Sequence, residues 1–422
     1  MRIEVITIGD ELLLGFSIDT NGAQIARTLA ALGVEVVRRS TVGDEADEIV
    51  RVVREALDRT GAVITTGGLG PTADDLTKPA IASLFGRELY LDEDILHRIE
   101  ERFRAFGYRG PMPPGNRQQA FIPEGARILR NDHGTAPGIW LEDERGRWVA
   151  MLPGVPREMN GMVADVLMPL LRERVGEDPA VVLSRTLRTT GIGESALAEL
   201  LGDYARQVEG LSVAYLPGWQ GTDLRLTARG VSAAKARALL DAASARLCER
   251  AGRHVYAEDD TDLAAVVLTR CREASLNIAT AESCTGGMLG ARLTAIPGSS
   301  DVYRGGVVVY ANELKIALLG VDEEDLRRHG AVSEEVATSM ARGARTRMSA
   351  EIGIAITGVA GPGGGTPEKP VGTVWIAVDF GGTIRTHGRV LIGDREEIRR
   401  RACQAALDMV RRGLREHGAR SA

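Results

Sequence analysis

Ser283, Cys284 and Thr285 stand in a row inside Thr280-Ala281-Glu282-Ser283-Cys284-Thr285-Gly286-Gly287. A hydroxyl or thiol followed by paired glycines suits nucleophilic attack on a carbonyl, with the N–H groups of the 283–287 turn as an oxyanion hole. An alcohol attacks an amide only beside a base. No histidine lies in the surrounding motifs, since His329 precedes Gly330 in a loop and His387 follows the last strand. Lys315 is the alternative base, able to act once desolvation or a neighbouring cation leaves its amine neutral. Tyr310 is spaced to relay a proton between Ser283 and Lys315. Cys284 is the rival nucleophile, its thiolate favoured at a helix N-terminus. Further on, Gly358, Gly361, Gly363, Gly364 and Gly365 can offer backbone donors to a substrate phosphate. Each feature has a plainer reading. Ser283 and Thr285 can be helix caps, Tyr310 a half-buried strand aromatic, Lys315 a solvated helix residue, and the glycines a turn.

A second group of polar residues lies near the start of the chain. Gly9-Asp10-Glu11, Val42-Gly43-Asp44-Glu45 and Thr66-Gly67-Gly68-Leu69-Gly70-Pro71-Thr72-Ala73-Asp74-Asp75-Leu76-Thr77 each follow a run of strand character. In the third, glycines let backbone N–H groups approach a phosphate, and Asp74 or Asp75 can hold a divalent cation over it. The alternative is that both aspartates only favour a helix dipole. Asp10 and Asp44 complete the set of candidate metal ligands.

The elements that position these groups follow from periodicity. Ile3–Ile8, 34–37 and 62–66 read as buried strands that alternate with amphipathic helices, closed in one case at Gly33. That pattern indicates βαβ units in a doubly wound parallel sheet, whose ligands bind beyond the carboxyl ends of the strands. Residues 181–190, 211–216 and 222–229 read as three strands, with a helix starting at Gly191-Ile192-Gly193-Glu194-Ser195 and an Ala-rich helix over 232–251, giving a small α+β unit. A second α/β domain follows, with 275–279 leading as a strand into the Ser283 turn. We expect domains at 1–172, 178–256 and 259–418.

Composition bounds the function. A chain of 422 residues needs two or three cores, and 44% hydrophobic with 26% charged content fits a globular protein. A net charge of -6 gives no broad footprint for nucleic acid, and the middle unit shows only scattered arginines, so no nucleic-acid partner is expected. Four scattered cysteines match no zinc spacing and read as reduced thiols. No signal peptide or membrane-spanning run is seen, and a cytoplasmic location is expected.

Two sets of motifs carry a resemblance. Gly67-Gly68-Leu69-Gly70 with Asp75-Leu76-Thr77, Gly134-Thr135-Ala136-Pro137-Gly138 and Leu152-Pro153-Gly154-Val155-Pro156 resemble the loops of the molybdopterin-binding-like fold. With GDELLLG at 9–15 and Asp19-Thr20-Asn21, residues 1–170 resemble the amino-terminal domain of the CinA family (competence/damage-inducible proteins). Residues 280–287, 305–315, 330–335 and 357–372 are similar to its carboxy-terminal domain, and the middle unit to its KH-like linker. The resemblance implies hydrolysis of the carboxamide of nicotinamide mononucleotide, with Ser283 as nucleophile and Tyr310 and Lys315 as activating partners. Glu282, Thr285, Gly286, Gly287, Gly358, Gly361 and Gly364 are then substrate-binding candidates, and no cofactor is required. For the first domain it implies an ADP-ribose pyrophosphatase using a divalent metal (Mg, Mn or Co) and potassium, with Asn21, Gly67, Gly68, Gly70, Gly134, Thr135, Pro153 and Gly154 at the nucleotide. A homodimer is expected. The chain departs from the pattern at Ala311, where serine is common, and at Gly363, where an acid is usual. The opposing class is a non-catalytic nucleotide-binding or scaffold protein linked to competence or DNA damage.

Overall fold

The computed structural model describes the whole chain except residues 106, 177–178, 207, 209 and 422, so the start expected for the middle domain at 178 lies outside the described residues. Its contacts separate two units, 1–183 with 228–238 and 184–227 with 239–422.

In the first unit the strands are β1 (Arg2–Ile8), β2 (Glu35–Val42), β3 (Ala62–Thr66), a small ribbon of β4 (Leu89–Leu91) with β5 (Phe121–Pro123), and then β6 (Arg127–Leu129), β7 (Gly138–Glu142) and β8 (Trp148–Leu152). The helices are α1 (Asp10–Leu13), α2 (Asn21–Ala30), α3 (Ala46–Thr60), α4 (Thr77–Leu84), α5 (Glu93–Ala105), α6 (Pro156–Met162) and α7 (Met168–Val175). The main sheet runs β2-β1-β3-β8-β7-β6. Its first four strands are parallel, as expected, while β7 pairs antiparallel with β8 and β6. The short loop from Glu142 to Trp148 cannot make a crossover, so that edge is a hairpin. Strand alternation sorts the core to two faces. Ile6, Ile8, Val63 and Met151 meet Ile49 and Val53 of α3, whereas Ile3, Val5, Ile64 and Leu152 meet Ile25 and Leu29 of α2.

The chain continues with β9 (Val181–Thr189), α8 (Glu194–Leu201), β10 (Leu211–Pro217), β11 (Thr222–Val231), α9 (Ala233–Ala251) and β12 (Val255–Glu258), of which the start of β9, the end of β11 and the start of α9 group with the first unit and the rest with the second. The four strands form one sheet in the order β10-β11-β9-β12. After α10 (Leu263–Glu273) comes a five-stranded sheet of β13 (Ile278–Glu282), β14 (Tyr303–Val308), β15 (Ile352–Gly358), β16 (Thr373–Phe380) and β17 (Thr383–Val390), ordered β14-β13-β15-β16-β17. Between and after these strands lie α11 (Met288–Thr294), α12 (Asn312–Leu319), α13 (Glu323–His329), α14 (Glu334–Arg347) and α15 (Arg395–Ser421).

The two faces of this sheet differ in residue size. Ile352, Ile354, Ile356, Val374, Ile376 and Val378 pack with α10, α11 and α15, each large side chain contributing about 1.5–3 kcal/mol by leaving water. The opposite face carries Ala279, Ala281, Ala355 and Ala377 against Ala337, Ala341 and Ala344 of α14. There α14 sits so close that a Cβ on Gly353 would lie 2.0 Å from Ala341 O. Among the described residues no helix is long and apolar enough to cross a membrane.

Candidate functional site

Ser283 follows directly on β13. Glu282 O accepts from Val309 N at 2.8 Å, and Ser283 N donates to Ile356 O at 2.9 Å, so the residue is clamped between the ends of β14 and β15. Gly286 and Gly287 take φ of 59° and 92°, the left-handed region that turns the chain into α11 within a few residues. The Glu282 carboxylate, expected at the substrate, instead anchors this turn. It is buried and accepts from Gly287 N, Leu289 N and Gly290 N at 3.1, 3.0 and 2.8 Å, satisfying donors that an α-helix start leaves open. The turn also has fewer oxyanion donors than its length suggests. Ser283 N, Gly286 N and Gly287 N are engaged by Ile356 O, Ser283 O and Glu282, leaving those of Cys284 and Thr285 among the described residues.

Accessibility and ionisation together separate the three candidate nucleophiles. Ser283 keeps 8% of its surface, whereas Thr285 is fully buried, its hydroxyl without a hydrogen-bond partner. The Cys284 thiol is pushed up to about 12 by burial, which outweighs the lowering expected from the helix start.

Lys315, on α12, is 1% exposed and donates to Val309 O at 2.9 Å and Tyr310 O at 3.3 Å. No carboxylate pairs with it among the described residues, and burial lowers its pKa from the ordinary lysine range. Tyr310 lies beyond the end of β14 with 62% of its surface exposed. Its hydroxyl accepts from Arg395 Nη2 at 3.1 Å, and not from Ser283 or Lys315, so the expected relay is not preformed.

Two arginines complete this end of the sheet, and the sequence reading missed both. Arg395 donates to Gly361 O at 2.5 Å as well as to Tyr310, tying the glycine loop after β15 to the tyrosine. Arg399 donates to Thr285 O at 2.6 Å, while its Nε is buried without a partner. Gly361 and Gly364 in that loop take φ of 80° and 84°, and Gly358 ends β15. The available signal was the i,i+4 spacing of two cations in the first turns of α15, where the helix dipole disfavours positive charge.

The first unit holds a cavity of about 560 Å³ at the carboxyl ends of β1, β3 and β8. Of the expected residues, Asn21, Gly67, Gly68, Gly70, Thr135, Pro153, Gly154, Asp44, Asp74 and Asp75 line it. Asn21 Nδ2 donates to Thr66 Oγ1 and Gly154 O at 3.1 and 2.7 Å, and its Oδ1 is buried without a partner. A Cβ on Gly68 would lie 2.0 Å from Thr77 Oγ1, so only glycine fits there. Gly134 is not in the lining and packs against the Glu158 carboxylate. Asp10 is also outside the lining: its carboxylate accepts from Asp44 N at 3.1 Å, and Asp10 N donates to Asp44 Oδ2 at 3.0 Å. Asp75 accepts from Gly70 N, Thr72 N and Thr72 Oγ1, which makes it the brace of the glycine loop rather than an open acid. Glu11 of the Gly9-Asp10-Glu11 cluster lines the cavity as well, together with Asn116 and Gln119 after the Pro-rich segment, while Glu158 was not anticipated. Among the described residues no three acid, histidine or cysteine side chains form a ready-made metal cluster.

Comparison with known proteins covers most of the chain. Residues 4–173 match the family model "Probable molybdopterin binding domain", 184–257 the "Damage-inducible protein CinA KH domain" and 260–414 the "CinA C-terminal domain". A CinA-like protein of Gemmatimonas aurantiaca is 60% identical over 99% of this chain and 98% of its own length. A competence-damage inducible protein of Moorella thermoacetica is 42% identical over 98% and 99%. Among solved structures, that of a competence/damage inducible protein from Agrobacterium tumefaciens is 43% identical, covering 36% of this chain and 93% of its own, with a TM-score of 0.35. With a mixed α/β amino-terminal domain, a KH-like middle and an α/β carboxy-terminal domain matched in order, the chain belongs to the CinA family.

Proposed function

We propose that the second unit hydrolyses the carboxamide of nicotinamide mononucleotide to nicotinate mononucleotide and ammonia. What supports this reading most is Lys315, a buried amine with no acidic partner among the described residues, beside the loop that presents Ser283. A neutral Lys315 amine takes the Ser283 proton as Oγ attacks the carboxamide carbon. The N–H groups of Cys284 and Thr285 stabilise the oxyanion. The protonated amine then gives its proton to the departing nitrogen, and water releases the acyl group from Ser283 as the carboxylate. Arg395 and Arg399 supply positive charge for the 5′-phosphate.

The test is ammonia release from nicotinamide mononucleotide by the purified chain, and no turnover sinks the reading. Arg395→Gln is expected to raise KM about tenfold or more with a smaller change in kcat, because a charge-assisted bond contributes roughly 1.5–3 kcal/mol. An unchanged KM removes Arg395 from the phosphate.

We propose pyrophosphate hydrolysis of ADP-ribose for the first unit. A divalent cation (Mg, Mn or Co, with potassium as an accompanying ion) suits its acids. Burial raises the Asp44 carboxyl, and the negative charges of Asp10, Glu11 and Asp74 raise it further, a repulsion that a bound cation relieves. Asp44 and Asp74 would hold the cation, which would neutralise pyrophosphate charge. The Gly67–Gly70 loop, braced by Asp75, offers the phosphates backbone donors. Asp44→Asn is expected to lower AMP release from ADP-ribose at least tenfold, measured with each metal in turn. Equal release by parent and variant removes Asp44 from the site.

A further inference from the structure

A cavity of about 620 Å³ lies wholly within the second unit and does not include Ser283, Tyr310 or Lys315. It is bounded by the Gly191-Ile192-Gly193 loop before α8, by β17 and by the middle of α15. We propose that it binds a small phosphorylated anion, at a site separate from both hydrolytic centres.

Charge pairing inside the cavity carries this. Two of its four arginines have a carboxylate partner, Arg385 in Glu416 at 2.5 Å and Arg412 in Asp408 at 2.7 Å, a carboxylate that Arg412 shares with the buried Arg411. The other two have no carboxylate partner among the described residues: Arg389 donates to the His387 ring, and Arg401 makes no hydrogen bond. The Nε atoms of Arg401 and Arg412 are buried and bond nothing. Leaving guanidinium donors buried and unmade is costly, and an anion oxygen is the partner that removes the cost. The loop adds backbone donors. α8 starts at Gly193 with no side-chain cap, so its first N–H groups and its positive dipole end face the same cavity. Gly191 comes close enough that a Cβ would lie 2.9 Å from Arg412 Nη2. Gln404, 3% exposed, fixes the geometry by donating to Thr190 Oγ1 at 3.1 Å.

The match of residues 184–257 to a KH domain raises RNA as a rival ligand of this loop. A phosphate backbone running past the loop needs cations on it, and here the loop carries Ile192 and Glu194. The cavity volume is that of a small-molecule site. Two unpaired guanidinium groups match a di- or pyrophosphate-sized charge.

The test is calorimetric titration of the full chain with inorganic pyrophosphate in EDTA. Arg389→Gln/Arg401→Gln is expected to remove one binding event or weaken it at least tenfold, and Arg401→Lys to retain it. Gly193→Asp provides a second variant that leaves the arginines in place. No atom lies within 4 Å of the new Cβ, so it adds a repelling carboxylate without a clash, and the same loss is expected. Isotherms identical to the parent for these variants overturn the proposal, as does a parent that binds no pyrophosphate. Single-stranded RNA binding lost in these variants, with the pyrophosphate isotherm unmoved, overturns it in favour of the rival.

Discussion

Ser283→Ala is expected to lower ammonia release from nicotinamide mononucleotide by at least about 10³, while Cys284→Ala stays within a few-fold of the parent. Removing the nucleophile of a serine hydrolase costs on the order of 10³–10⁶ in kcat, since binding and oxyanion donors remain. Alanine is tolerated at 283 because the clamp that holds the residue is a backbone bond to Ile356 O. Cys284 is excluded by the environment that buries it. With its thiol pushed up to about 12, thiolate is scarce at neutral pH. Its place is in the core with Leu289 and Ile356, where alanine costs packing and not chemistry. The readout is kcat for ammonia release with thermal melts as a folding control. Full turnover by Ser283→Ala would move the nucleophile to Cys284 or Thr285. Loss in Cys284→Ala with an unchanged melt would single out the thiol.

What could be read in advance depended on how local the cause was. The glycines at 67–70 and 286–287 announce their turns because side chains rarely take the positive φ of Gly67, Gly68, Gly286 and Gly287, and at Gly67, Gly68 and Gly70 a Cβ finds no room. Strand alternation likewise foretold the parallel strands of the first sheet, although the hairpin at its far edge follows from a loop too short to cross over. Roles set by distant partners were not legible. Glu282 looks like a ligand from its neighbours in sequence, and only the path of α11 shows that its oxygens are used by backbone donors. Arg395 and Arg399 look like a solvated helix until Gly361 and Thr285 are brought to them from elsewhere in the chain. Arg411 is the extreme case. It is fully buried, bonding Asp408 and the carbonyls of Arg253 and Val255, although in sequence it is one of many arginines on an amphipathic helix.

Lys315→Met is expected to abolish ammonia release to a similar degree, by about 10³ or more, with only a modest change in stability. Two effects oppose each other in the folded state. The variant leaves the carbonyls of Val309 and Tyr310 without this donor, at a cost of roughly 1–3 kcal/mol. It also relieves the penalty of holding an amine in a buried site, the cause of its lowered pKa. Catalysis has no such compensation, because methionine cannot accept a proton, and Lys315→Arg fails equally since guanidinium stays charged. The pH dependence follows from the same shift. Only the neutral amine serves as base, so kcat/KM of the parent should rise with pH through a value below the ordinary lysine range of about 10.4. Stability carries the matching signature. Between the depressed folded pKa and the unfolded one the unfolded chain binds more protons, so unfolding free energy increases with pH across that window. The penalty is fully present below the folded pKa and gone above the unfolded one. In Lys315→Met both the catalytic limb and this rise disappear, while a parent whose rate is flat through that range would remove Lys315 from the role of base.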